Sequence, residues 1–164
     1  MAMKKLRIYL DTSVLNFLFA DDSPDFQKAT VEFFTKYAAT YELYVSEIVP
    51  MEIRRTPDPR HRQRLLDVLR QHPITMLSNA SRNDIEQLAK LYMQRQLMPA
   101  TKFEDALHVA YATVHQMDIL LSWNFKHLAN VRREALIVTV NQAAGYRYPL
   151  RLLSPLEVED ESES

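Results

Sequence analysis

Four oxygen-bearing side chains occur where an active site would need them. Asp11 closes the apolar run in RIYLDTSVLN, and two hydroxyls, Thr12 and Ser13, follow at once. Glu52 lies in YVSEIVPMEIRR, Asp105 in TKFEDALHVAYATV, and Ser122 and Asn124 in DILLSWNFKHL. From Ala106 to Val114 only His108 and Thr113 interrupt an apolar helical pattern, so Asp105 stands at the mouth of a buried helix. Burial raises the pKa of a carboxyl group unless a cation or hydrogen bonds compensate. A divalent cation held by Asp11 and Asp105 together compensates both. Ligands that offer only oxygen suit Mg²⁺ or Mn²⁺ rather than zinc. Each residue alone has a plainer use. Asp11 can cap the next helix, Asp105 can complement a helix dipole, Glu52 can be a surface acid, and Asn124 can make a turn. The weight lies on the set.

These groups need elements to bring them together. Five apolar runs predict strands: Leu6–Leu10, Glu42–Val45, Ile74–Leu77, Ile119–Ser122 and Leu136–Val140. They are unbroken rather than alternating, as in strands covered on both faces. Helical spacing separates them: Phe26, Thr30, Phe33 and Tyr37, then Ile85, Leu88, Ala89 and Tyr92 behind the cap-like Ser81 and Asp84. Pro57 and Pro59 mark a turn before the helix of Leu65, Leu66 and Leu69. Thr101 and Glu104 are spaced as a capping box for the buried helix. The alternation predicts an α/β domain around a mainly parallel central sheet of about five strands flanked by helices. Leu150–Leu153 could add an edge strand. The domain is expected over residues 1–158, with 159–164 a disordered acidic tail. Ligands of such sheets bind at the carboxyl ends of the strands, where Asp11 falls.

Composition narrows the choice. The chain has 164 residues, of which 47% are hydrophobic and 25% charged, the balance of a globular domain. No apolar run reaches membrane-spanning length, and there is no signal-like start and no cysteine, so a cytoplasmic protein is expected. Glycine occurs once, at Gly145, which excludes a Walker A loop and a GxGxxG turn. Formal net charge is −1, yet Glu157–Ser164 holds five acids and no base. Against that, residues 54–64 hold five arginines and His61, either a patch for phosphates or a solvated helix face. The five histidines show no metal-ligand spacing, and His108 suits a satisfied core position. There is no GxSxG elbow.

The ordered stretches YLDTSVL, SEIVPMEI, EDALHVAYAT and ILLSWNFKHL resemble the PIN-domain proteins, and among them the VapC ribonuclease toxins of prokaryotic toxin–antitoxin pairs. The resemblance covers roughly residues 6 to 158. It implies a PIN-like fold and a metal-dependent endoribonuclease that leaves a 5′-phosphate. It makes Asp11, Glu52 and Asp105 the metal-binding acids and Asn124 the fourth catalytic position, with Thr12, Ser13 and Ser122 in support. Many members carry an acid where this chain has Asn124, so a second metal is less well supported than the first. Asp118 lies at the wrong end of its strand to replace it. Arg54, Arg55 and Lys126 are candidates to hold RNA. Trp123, Phe125 and Tyr146 are candidates to stack a base, although Trp123 and Phe125 suit core packing better. The resemblance also implies a homodimer and a small antitoxin partner. The principal rival is a catalytically inactive PIN-like module that binds RNA or protein. A haloacid-dehalogenase-type phosphatase needs an acid at Ser13, and a receiver domain needs one after the third strand, in ITMLSNAS. Neither condition is met.

Overall fold

The computed structural model describes residues 4–125 and 128–158. The proposed tail, 159–164, and Lys126 lie outside them. Five strands form one all-parallel sheet: β1 (Arg7–Leu10), β2 (Glu42–Val45), β3 (Ile74–Met76), β4 (Ile119–Leu121) and β5 (Arg151–Leu153). Their spatial order is β3-β2-β1-β4-β5. Tyr9 lies opposite Tyr44 on one side and Leu120 on the other. Helices fill the crossovers: α1 (Thr12–Phe17), α2 (Pro24–Glu32), α3 (Ile48–Ile53), α4 (Pro59–Gln71), α5 (Arg82–Gln94), α6 (Phe103–Val114) and α7 (Val131–Ala143). A π-helical turn (Phe33–Tyr37) extends α2. Among the described residues no helix is long and apolar enough to cross a membrane.

The alternating strand residues divide the core in two. Tyr9, Leu120 and Leu152 join α5, α6 and α7 on one face, where Ala106, Val109 and Ala110 have no exposure. Ile8, Leu10, Leu43, Val45 and Leu121 join α1, α2, α3 and α4 on the other. Both faces of the central strands are therefore covered, which is why they read as continuous apolar runs, whereas the edge strand β3 is partly exposed.

Three expectations need correction. Residues 136–140 are not a strand but part of α7. Ile137, Val140 and Asn141 form its buried stripe, and Asn130 caps it by accepting from Arg133 N at 2.8 Å. β5 takes the fifth place in the sheet. The capping box of Thr101 and Glu104 does not form, because α6 starts at Phe103 with Lys102 at its N-cap. Glu104 instead pairs with Arg55 Nη1 at 2.6 Å. Ser81 does precede α5, but its side chain makes no capping bond.

Scarce glycine leaves its trace at helix ends. Gly145 has φ of 96° after α7. Gln96 and Gln116 take the same left-handed conformation after α5 and α6, where glycine is the usual choice. The helices still close: Leu97 N donates to Tyr92 O at 3.0 Å and Met117 N to Ala112 O at 2.9 Å.

Candidate active site

At the carboxyl edge of the sheet, β1 and β4 end side by side and Asp11 leaves the sheet there. Its backbone N donates to Leu121 O at 3.1 Å. Its side chain has two duties. Oδ1 accepts from Ser13 N at 2.7 Å, which caps α1, and Oδ2 accepts from Ser122 Oγ at 2.6 Å. Ser122 Oγ in turn accepts from Asn124 N at 2.9 Å, and Ser13 Oγ accepts from Trp123 N at 3.0 Å. The hydroxyls of Ser13 and Ser122 thus bind the end of β4 to the start of α1. The plain capping role of Asp11 and its place in the cluster are one arrangement.

Glu52 reaches the same edge from α3. Its Oε1 accepts from Thr12 Oγ1 at 2.9 Å and from His108 Nε2 at 2.5 Å. Burial pushes the Glu52 carboxyl up, but the bond and charge of His108 and the bond from Thr12 outweigh it and hold the group below its ordinary range. The same pair acts in reverse on the imidazole. Burial pulls His108 down, and the Glu52 bond with the charges of Asp11, Glu52 and Asp105 lifts it above its ordinary value.

His108 is the residue that spacing undervalued. It is a satisfied core histidine, 1% exposed, as expected. One of its bonds, however, runs into the acid cluster. Nδ1 meets Tyr9 Oη at 2.6 Å, and Tyr9 Oη meets Ser46 Oγ at 2.7 Å. A buried line of polar groups therefore runs from Ser46 through Tyr9 and His108 to Glu52. Burial first, then the charges of Asp11 and Glu52, keep the Tyr9 phenol protonated. The available signal was the three-residue step from Asp105 to His108, which puts both on one side of α6.

Asp105 stands in the first turn of α6. Asn124 Nδ2 lies 3.4 Å from its Oδ2, a long contact. Burial, then the charge of Asp11, lift its carboxyl to about 6; Glu52 adds to them, while His108 and Lys102 oppose. In donor chemistry and charge, the acids fit a hard divalent cation. They are not drawn around one: among the described residues no three His, Asp or Glu side chains are grouped closely enough to hold an ion.

The remaining candidates divide. Arg55 is engaged with Glu104, whereas Arg54 is exposed at the end of α3. Trp123 is core, with Nε1 donating to Thr30 Oγ1 at 2.8 Å and its ring stacked on Phe26 at 4.6 Å. Phe125 is exposed beside it. Tyr146 lines a separate cavity with Asp84, Leu88 and Gln94. Asp118 sits at the opposite edge, where its carboxylate accepts from Arg7 N and Tyr148 Oη, so it is no substitute fourth acid.

Comparison with known proteins agrees with this architecture. The PIN domain model matches residues 8–133. The chain belongs to the PIN-domain family. No curated protein matches its sequence. In fold, the PIN chain is similar to a chain in the crystal structure of VapBC2 from Rickettsia felis bound to a DNA fragment from their promoter. The TM-score is 0.53 at 15% identity, over 91% of this chain and 98% of that one.

Proposed function

We propose that this PIN-domain chain is a Mg²⁺- or Mn²⁺-dependent endoribonuclease and the toxin of a toxin–antitoxin pair. One observation carries the reading: Asp105, lifted to about 6, shares the carboxyl edge of a parallel sheet with Asp11 and Glu52. Family membership supports nuclease chemistry, and the likeness to a chain of the VapBC2 structure supports the toxin assignment.

Asp11 and Asp105 would hold the cation, with Glu52 reaching it directly or through water and Asn124 as a neutral fourth group. When bound, the cation supplies a water of lowered pKa and neutralises charge at the scissile phosphate. The protein's own part is orientation. Ser13 N and Ser122 Oγ fix both oxygens of Asp11. Thr12 and His108 occupy one oxygen of Glu52, and no described residue bonds the other. Water adds to phosphorus in line, the bond to the 3′ oxygen breaks, and the products carry a 5′-phosphate and a 3′-hydroxyl. The protein works in the cytoplasm, as a homodimer. A small antitoxin blocks it by placing an arginine among the carboxylates, an ion pair that replaces the cation.

The test is calorimetric titration of Mn²⁺ into the wild type and into an Asp11→Asn, Asp105→Asn double variant, followed by cleavage of single-stranded RNA. Binding and cleavage by the wild type alone are expected. A wild type that neither binds Mn²⁺ nor cuts RNA in its presence overturns the reading. That outcome would favour a PIN-like binding module, the alternative that Asn124 in place of an acid supports.

A further inference from the structure

The first turns of α4 are assembled against their own stability. A helix N-terminus favours negative charge, yet α4 opens with Arg60, Arg62 and Arg64 and has no acid in its first turn. Arg60 and Arg64 are four residues apart, the spacing at which like charges repel along a helix. The nearby acids serve elsewhere. Asp58 caps the helix by accepting from Arg60 N at 3.0 Å, and Asp67 takes Gln63 and Arg70. Among the described residues, no ion pair involves Arg54, Arg60, Arg62 or Arg64.

Two of these guanidinium groups are held in place by neutral partners. Arg62 Nη1 donates to Thr56 O at 3.0 Å, which fastens the α3–α4 turn to the helix. Arg64 lies over the Phe19 ring, 4.2 Å from its centroid, and the His61 ring meets the same ring edge-on at 5.9 Å. Phe19 lies just beyond α1, the helix that Asp11 caps, and Arg54 ends α3, the helix that carries Glu52. The cations therefore border two of the three elements that supply acids, α1 and α3, and among the described residues no ion pair joins them to those acids. A merely solvated face would be expected to interleave acids with its bases. This one does not.

We propose that Arg54, Arg60, Arg62 and Arg64 form a track for the phosphodiester backbone of single-stranded RNA, which seats the strand beside the acid cluster. The inference rests on the nuclease reading for its substrate but not for its test. An oligouridylate with a 5′ radiolabel is titrated with the protein in EDTA, where nothing is cut, and retention on a filter is followed as salt is raised. The wild type should bind with a steep salt dependence. Changing all four arginines to glutamine should weaken binding at least tenfold and lower the log–log salt slope by about 2 to 3, at roughly 0.7 per phosphate contact. Mn²⁺ binding by that variant should be unchanged, which shows that the fold and the acids survive. The single variant Arg60→Gln should keep or slightly raise Tm, since it relieves like-charge repulsion. Unchanged RNA affinity and slope in the fourfold variant would overturn the track. So would a wild type that ignores RNA but binds an oligoglutamate peptide through these arginines. RNA binding through the track without Mn²⁺ binding at the acids would overturn the nuclease reading and leave the track standing.

Discussion

Asp105 and His108 sit three residues apart on one helix and are driven the same way for different reasons. Burial and neighbouring acids keep a proton on Asp105 up to about pH 6, and the same acids stabilise charge on His108. Because the folded-state pKa of Asp105 lies above its value in the unfolded chain, ionising it opposes folding. The penalty is absent below about pH 4, grows from there to 6 and is complete above 6. Asp105→Asn should therefore stabilise the metal-free protein by about 1–2 kcal/mol at pH 7.5, after allowance for partial solvent screening, and by little at pH 4. Thermal unfolding in EDTA at the two pH values checks this. Equal effects at both would mean that burial and the neighbouring acids do not raise the Asp105 carboxyl. His108 acts on Glu52 by direct hydrogen bonding. His108→Leu should lower Mn²⁺ affinity by about 10–100-fold, the usual cost of losing a group that orients a ligand. His108→Gln, whose amide can still donate to Glu52, should recover most of it. Calorimetry on both variants, with Tm as a control for folding, distinguishes orientation from mere packing.

At the scale of elements, what could be read from the sequence depended on whether a segment's own pattern matched its surroundings. β1, β2 and β4 were evident because burial on both faces leaves a plain apolar run, and the positions of Asp11, Glu52 and Asp105 followed from those runs and from α6. Leu136–Val140 reads as a strand because it is rich in β-branched residues, which favour strands. Packing of Ile137, Val140 and Asn141 into the core overrides that local preference. The contrary signal is Asn130, whose side chain closes the first turn of α7 and whose Nδ2 also holds Phe125 O. Asn130→Ala should cost about 1 kcal/mol and lower Tm by about 2–4 °C. An unchanged melting curve would count against the cap. The line from Ser46 through Tyr9 to His108 had no signature in sequence at all. It joins β1, the β2–α3 connection and α6, and only the sheet order brings those three together.

For the whole molecule, the central question is whether charge repulsion at one edge of the sheet is relieved by a ligand. Anything that binds only the folded chain raises its stability. At a Mn²⁺ concentration one hundred times the dissociation constant, the gain is about 2.7 kcal/mol. For a chain of this size that shifts Tm upward by about 5–10 °C. The shift should vanish in Asp11→Asn and persist in Arg60→Gln. A shift of equal size in Asp11→Asn would place the cation elsewhere.

The single indole of the chain has a practical consequence. Trp123 directly follows Ser122, is 5% exposed, hydrogen-bonds Thr30 and stacks on Phe26. Its emission therefore reports on one place, the junction of β4, α1 and α2 beside the acids, with no label and no competing fluorophore of its kind. Rearrangement of that junction on cation or RNA binding would register as a shift in its spectrum. Denaturation followed at Trp123 would report one face of the sheet, and far-ultraviolet circular dichroism would report every helix. Coincidence of the two curves would show that the sheet and both its helical layers are lost as one unit.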